Sequence, residues 1–122
     1  KITSDETLKG ERIEIKAQEG GKIDLSIDLN DVYVKSIAGS EIVLTGSCPT
    51  QEVLVNTGGK VKNEELNTEM TTVTVNAGGR ANVKASDLVK AKVRAGGYIY
   101  IHGNPKEVEK DKVFGGKIVI VD

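Results

Sequence analysis

Tryptophan is absent from this 122-residue chain, and other large rings are scarce, with one Phe and three Tyr. That excludes a sandwich core built on big aromatics, so the interior must be assembled from Ile, Val, Leu and Ala. The one cysteine, Cys48, has no partner for an internal disulfide and reads as a loop or core residue. The one histidine, His102, excludes a two-histidine metal site and leaves a Ser-His triad without a spare base. Lys plus Arg number 17 against 18 Asp plus Glu, a net charge of −1. No global field draws in nucleic acid or an anionic membrane, so nucleic acid is not an expected partner and electrostatic binding must come from local clustering. No run approaches the roughly 18 apolar residues that span a bilayer. Lys1 opens the chain without a Met or a signal-like apolar stretch, which reads as a mature or trimmed polypeptide. The length predicts one domain over residues 1–122.

What the chain has is glycine, 14 residues against two prolines, mostly in pairs. The first glycine of each pair, with Gly39 alone in one case, gives the series Gly20, Gly39, Gly58, Gly78, Gly96 and Gly115, in steps of 19, 19, 20, 18 and 19. Three residues beyond it lies an apolar column, Ile23, Ile42, Val61, Ala81, Ile99 and Ile118; two further come Leu25, Leu44, Asn63, Val83, Ile101 and Ile120. Around these columns apolar and polar residues alternate. Val73, Val75, Ala77, Gly79, Ala81, Val83 and Ala85 share one face, and Ala91, Val93, Ala95, Gly97, Ile99 and Ile101 repeat it.

Hairpins give no reason for columns at fixed spacing; stacked coils do. The pattern predicts an all-β, right-handed parallel β-helix-like solenoid of about six coils with a repeat of about 19 residues. At ~4.8 Å per coil it would rise about 29 Å. Each glycine of the column marks a bend or a positive φ that a Cβ would oppose. Polar stretches 63–72, 86–90 and 104–111 are expected to return the chain between coils. No helical stripe is convincing, residues 105–112 being the nearest.

Three motifs carry a resemblance: Val73-Thr-Val-Asn-Ala-Gly-Gly, Ala91-Lys-Val-Arg-Ala-Gly-Gly-Tyr-Ile-Tyr-Ile-His-Gly-Asn-Pro105 and Val113-Phe-Gly-Gly-Lys-Ile. The chain resembles the head GIN domain family of bacterial auto-transporter adhesins over nearly its whole length. Gly103-Asn-Pro105, Val108 and the last Gly pair look like that family's closing coils. The resemblance implies a β-helix-like fold and export to the envelope, periplasm or cell surface. It also implies further strands ahead of Lys1, so the chain is expected to be a C-terminal portion of a longer domain.

Chemistry has few places to reside. Asp24, Asp28, Asn30 and Asp31 supply oxygens of the kind Ca²⁺ takes, but Gly-Gly-Lys-Ile-Asp24 is not repeated in the other coils as a Ca²⁺ β-roll requires. Gly58-Gly-Lys60 and Gly115-Gly-Lys117 lack P-loop spacing. No catalytic residue, metal or cofactor is expected. The outward ladders are richer: Lys60, Lys62, Arg80, Asn82, Lys84, Tyr98, Tyr100 and His102 are predicted to share one face, where rings and amides can meet sugars and cations can pair with acidic glycans. Outward strand positions favour Tyr, Lys and Arg in any case. The expected role is a non-enzymatic, exported interaction or adhesion module contacting a surface glycan or protein. The alternatives are a polysaccharide-active β-helix enzyme, by analogy of fold, and a structural spacer. Open solenoid edges predict self-association, chiefly at the N-terminal end if Ile13, Ile15 and Ile23 meet water, unless residues 1–10 fold over the first coil.

Overall fold

The computed structural model describes residues 2–3, 8–113 and 115–121. Lys1, residues 4–7, Phe114 and Asp122, on which parts of the expected cap and closing coil fall, lie outside the described residues. Twelve strands follow one another: β1 (Ile2–Thr3), β2 (Leu8–Ala17), β3 (Lys22–Ser36), β4 (Glu41–Ser47), β5 (Thr50–Val55), β6 (Lys60–Asn67), β7 (Met70–Asn76), β8 (Arg80–Lys84), β9 (Leu88–Arg94), β10 (Tyr98–His102), β11 (Glu107–Val113) and β12 (Lys117–Ile120). Every pairing is parallel and joins a strand to its equivalent about 19 residues away, which is the stacked solenoid that the glycine series predicts. Among the described residues no helix is long and apolar enough to cross a membrane.

Each coil contributes two strands. Sheet one stacks β1, the first part of β3, β4, β6, β8, β10 and β12; sheet two stacks β2, the second part of β3, β5, β7, β9 and β11. β3 bends through residues 28–31 and belongs to both. The stretches 63–72, 86–90 and 104–111, expected to return the chain between coils, also carry strand, contributing to β6, β7, β9 and β11. Most of their polar residues face outward, while Asn63, Leu66, Thr68, Thr71 and Val89 face in, a pattern too short and too mixed to announce a strand by itself.

Between the sheets lies a continuous apolar interior in which Ile27, Val32, Val34, Ile42, Leu44, Val61, Ile99 and Ile101 are fully buried. Coil three holds the exception. At 20 residues it is one longer than the usual repeat, and the excess sits in a β-bulge where Asn63 and Glu64 oppose Leu44. The Asn63 carboxamide stays inside because it has work for both ends. Leu44 N–H donates to Asn63 Oδ1 at 3.0 Å, and Asn63 Nδ2 donates to Gln51 Oε1. Gln51 Nε2 continues to Thr71 Oγ1 at 3.2 Å, and Thr71 meets Thr68 at 2.7 Å. The chain of polar groups crosses the core from one sheet to the other, so that an apolar column is interrupted without orphaning the amide.

The glycine corners divide their labour. At the first five, two successive residues have positive φ, a non-glycine and then the column glycine: Glu19-Gly20, Ala38-Gly39, Thr57-Gly58, Ala77-Gly78 and Ala95-Gly96. At the first four, the amide two residues after the non-glycine closes the turn, as Gly59 N–H does on the Asn56 carbonyl at 3.0 Å. Ala77 and Ala95 are thus exposed turn residues rather than core, a correction to the alternating face. A Cβ on the column glycines Gly78 or Gly96 would meet nothing within 4 Å, so only φ, +79° and +84°, favours glycine there. Close approach belongs to the second residue of the pair. A Cβ at Gly79 would lie 2.5 Å from Val55 Cγ1, and those at Gly97 and Gly116 would collide with Val75 and Val93 of the preceding coil. Ser40 occupies this position in coil two, and the residue beneath it is Ala17, paired through β2 with Ser36 in the column that continues as Val55, Val75 and Val93. Ser40 Oγ uses the space to donate to the Ala17 carbonyl at 2.9 Å.

The N-terminal end differs from the expected open edge, whereas Val119 and Ile120 at the C-terminal end are exposed. β1 pairs with Ile23 and Asp24 and β2 covers the second part of β3, so Ile15 and Ile23 are only 5% and 6% exposed and Ile13 packs against the core. The apolar surface invoked for N-terminal edge pairing is therefore covered. At the far edge of sheet two, Lys110 and Lys112 stand in register with inward Ala91 and Val93, and charges in such positions discourage further pairing.

Gly97→Ala is expected to destabilise by about 2 kcal/mol, more than Gly96→Ala, through overpacking. In a Val75→Ala background the increment should fall below roughly 1 kcal/mol, as the Ser40 over Ala17 arrangement implies; urea denaturation of the four proteins measures the coupling, and additive effects would refute the steric assignment. Thr57, a β-branched residue at φ 51°, should gain about 1 kcal/mol on replacement by Asn or Gly, read as a higher urea midpoint.

Candidate functional site

The eight residues predicted to share a face all lie on the outer side of adjacent strands β6, β8 and β10. Parallel register builds three columns. The first reads Lys22, Glu41, Lys60, Arg80, Tyr98, Lys117; the second Asp24, Val43, Lys62, Asn82, Tyr100, Val119; the third sets Lys84 beside His102. Because each strand alternates, every one of these side chains is forced outward by the buried residues between them, Val61, Ala81, Val83, Ile99 and Ile101.

Within the face the side chains are ordered by one another. Arg80 Cζ stands 5.6 Å from the Tyr98 ring centroid, a cation–π distance. Tyr98 and Tyr100, two apart on β10, have ring centroids 6.5 Å apart and planes within 10°. His102 Nε2 donates to Asn82 Oδ1 at 3.2 Å. The result is an aromatic pair with a guanidinium on one flank and Lys84 and His102 on the other. Tyr98 remains 37% exposed, so the platform meets solvent.

Sequence reasoning missed the boundary of this face. Glu41, one coil below Lys60, receives Lys62 Nζ at 3.0 Å and Lys22 Nζ at 3.2 Å. Hydrogen bonding to Lys62 first and Lys22 second holds its carboxyl below the ordinary carboxylate range. Lys62 is thereby engaged, and Lys60, Arg80 and Lys84 carry the open charge. The signal was present in the column offset of 19, which puts Glu41 between Lys22 and Lys60.

The other candidates resolve into structure. Asp31 receives Arg12 Nη1 at 2.6 Å and Asn30 Nδ2 donates to Glu11 Oε2 at 2.8 Å, each joining one coil to the next. No group of three or more His, Cys, Asp or Glu that could hold a metal occurs among the described residues. Cys48 is fully buried, its Sγ donates to the Thr50 carbonyl, and burial pushes its thiol up.

Searches among curated proteins and among solved structures each return no significant match. A family model does match, over residues 1–105, which takes in both glycine-pair motifs of the central coils and Gly103-Asn-Pro105 but not Val108 or the last Gly pair. With the repeat, the parallel coils and this match in agreement, the chain belongs to the family described as "Putative auto-transporter adhesin, head GIN domain".

Proposed function

We propose that this domain is a non-enzymatic contact module, exported to the cell surface or envelope, whose outer sheet-one face binds an acidic polysaccharide. The observation that carries the reading is the Arg80–Tyr98–Tyr100 cluster, flanked by Lys60 and Lys84, on one outward face of adjacent strands. Stacked rings offer a sugar's C–H face an apolar partner, and cations beside them take carboxylates. Columns run along the solenoid axis at about 4.8 Å per coil, so a chain laid across the strands meets Lys60, Arg80, Tyr98 and Lys117 in succession. The adhesin description of the family agrees with a surface partner. A polysaccharide-active enzyme finds less support, since the face pairs His102 with an amide and the carboxylate of its first column, Glu41, is occupied by two lysines.

Polygalacturonate is a suitable probe. Arg80→Ala with Tyr98→Ala should lower its binding by tenfold or more at low salt and flatten the salt dependence, with the melting temperature nearly unchanged. Undiminished binding by the double variant, or no binding by the native protein, would remove the reading. Glu41→Gln should act in the opposite direction. It frees Lys22 and Lys62 while sacrificing only an exposed ion-pair cluster, so binding should strengthen roughly threefold at low salt, with stability changing by less than about 1 kcal/mol; calorimetric titration of both proteins gives the comparison.

A further inference from the structure

The corner opposite the glycine turns holds a second feature. Coil three takes 20 residues from Gly58 to Gly78 and coil four only 18 from Gly78 to Gly96. β6 is accordingly 8 residues long and β8 only 5, and their pairing ends at Lys62 and Asn82. Beyond that point the longer coil overhangs the shorter, opening a groove of about 290 Å³. Ser47, Pro49, Asn67 and Glu69 line it from the longer coils, and Lys84 and Ser86 from the short one.

The groove is built on fixed parts. Beneath it Thr68 Oγ1 is bonded to Thr71 and to the Lys84 carbonyl, and so to the Gln51–Asn63 chain through the core. At its rim, a Cβ on Gly103 would come 2.8 Å from the Ala85 carbonyl oxygen and 2.9 Å from Lys84 Cγ, so coil five closes against coil four only with glycine there. Lys84 belongs both to the groove and to the outer face, where it stands beside His102.

We infer that this groove is a subsite for one carboxylated pyranose, the terminal unit of the acidic chain received by the neighbouring face; the inference rests on that reading of the face. Lys84 is the one cation of the lining and matches one carboxylate. Exposed Ser47, Asn67 and Ser86 offer the mixed donors and acceptors that ring hydroxyls require, and Pro49 offers an apolar wall for C–H groups. Glu69 accepts from hydroxyls and repels a second anion, which selects a singly charged sugar over a sulfated or phosphorylated one.

The test is titration of nitrogen-15-labelled protein with methyl galacturonoside, methyl galactoside and a galacturonate hexamer. The galacturonoside should shift the amides of Asn67, Glu69 and Ser86, the uncharged galactoside should not, and the hexamer should shift those amides together with Tyr98 and Tyr100. Asn67→Ala should weaken the galacturonoside response about fivefold, the effect of one neutral hydrogen bond, without moving the melting temperature. Hexamer shifts confined to Tyr98 and Tyr100 would overturn the subsite and leave the face reading intact. Equal response to the galactoside would overturn the role of Lys84 as carboxylate partner, and silence toward all three probes would overturn subsite and face together.

Discussion

Parallel, in-register stacking of one coil on the next is the constraint from which the rest of this molecule follows. Each residue pairs through its backbone with its own equivalent, so a side chain must tolerate a similar neighbour at about 4.8 Å above and below. Apolar columns satisfy that demand and gain from it. Some charged columns satisfy it by alternating sign, as Lys22 with Glu41 and Arg12 with Asp31 do, although Lys16 stands beside Lys35. Lys60 beside Arg80 breaks the alternation on an exposed surface, where like charges in register cost stability and where Tyr98 offers one of them a ring. Such a departure is the physical reason to look for a ligand there.

The corners show how tightly the stacking is enforced. A non-glycine residue in the left-handed region is accepted at five of the corners, because the turn must reverse the chain within two residues. The column glycine relieves φ alone, whereas the glycine after it relieves contact with the coil below. The Ser40 and Ala17 pair shows the contact from the other side, since a side chain appears where the neighbour beneath loses its γ carbons. Coil length is enforced less strictly. The extra residue of coil three is absorbed by a bulge, where the Leu44 N–H donates to Asn63 Oδ1 and Gln51 holds the Asn63 amide.

That tolerance has a functional side. A solenoid whose coils were all of one length would present flat faces and smooth edges. Here the face of β6, β8 and β10 carries rings and cations, while the groove arises where coils of 20 and 18 residues meet. Lys84 joins the two, a position available to it because β8 ends early and delivers the side chain to the corner. Membership of a family described by an adhesin name suggests a surface context for these features.

By itself the sequence determined the coil, its period, the apolar columns and the common outward face of the eight candidate residues. Those features repeat, and six copies of a weak local signal leave little freedom for another register. The family was legible for the same reason, since its motifs are the repeats themselves. Only the tertiary structure decided which glycine of each pair touches the coil below, that the polar returns carry strand, that β1 and β2 cover Ile15 and Ile23, that Glu41 takes Lys62 from the open face, and where the groove lies. Each of these depends on contacts between residues about 19 or more apart whose side chains do not repeat. A single coil carries no record of what its neighbour places above it.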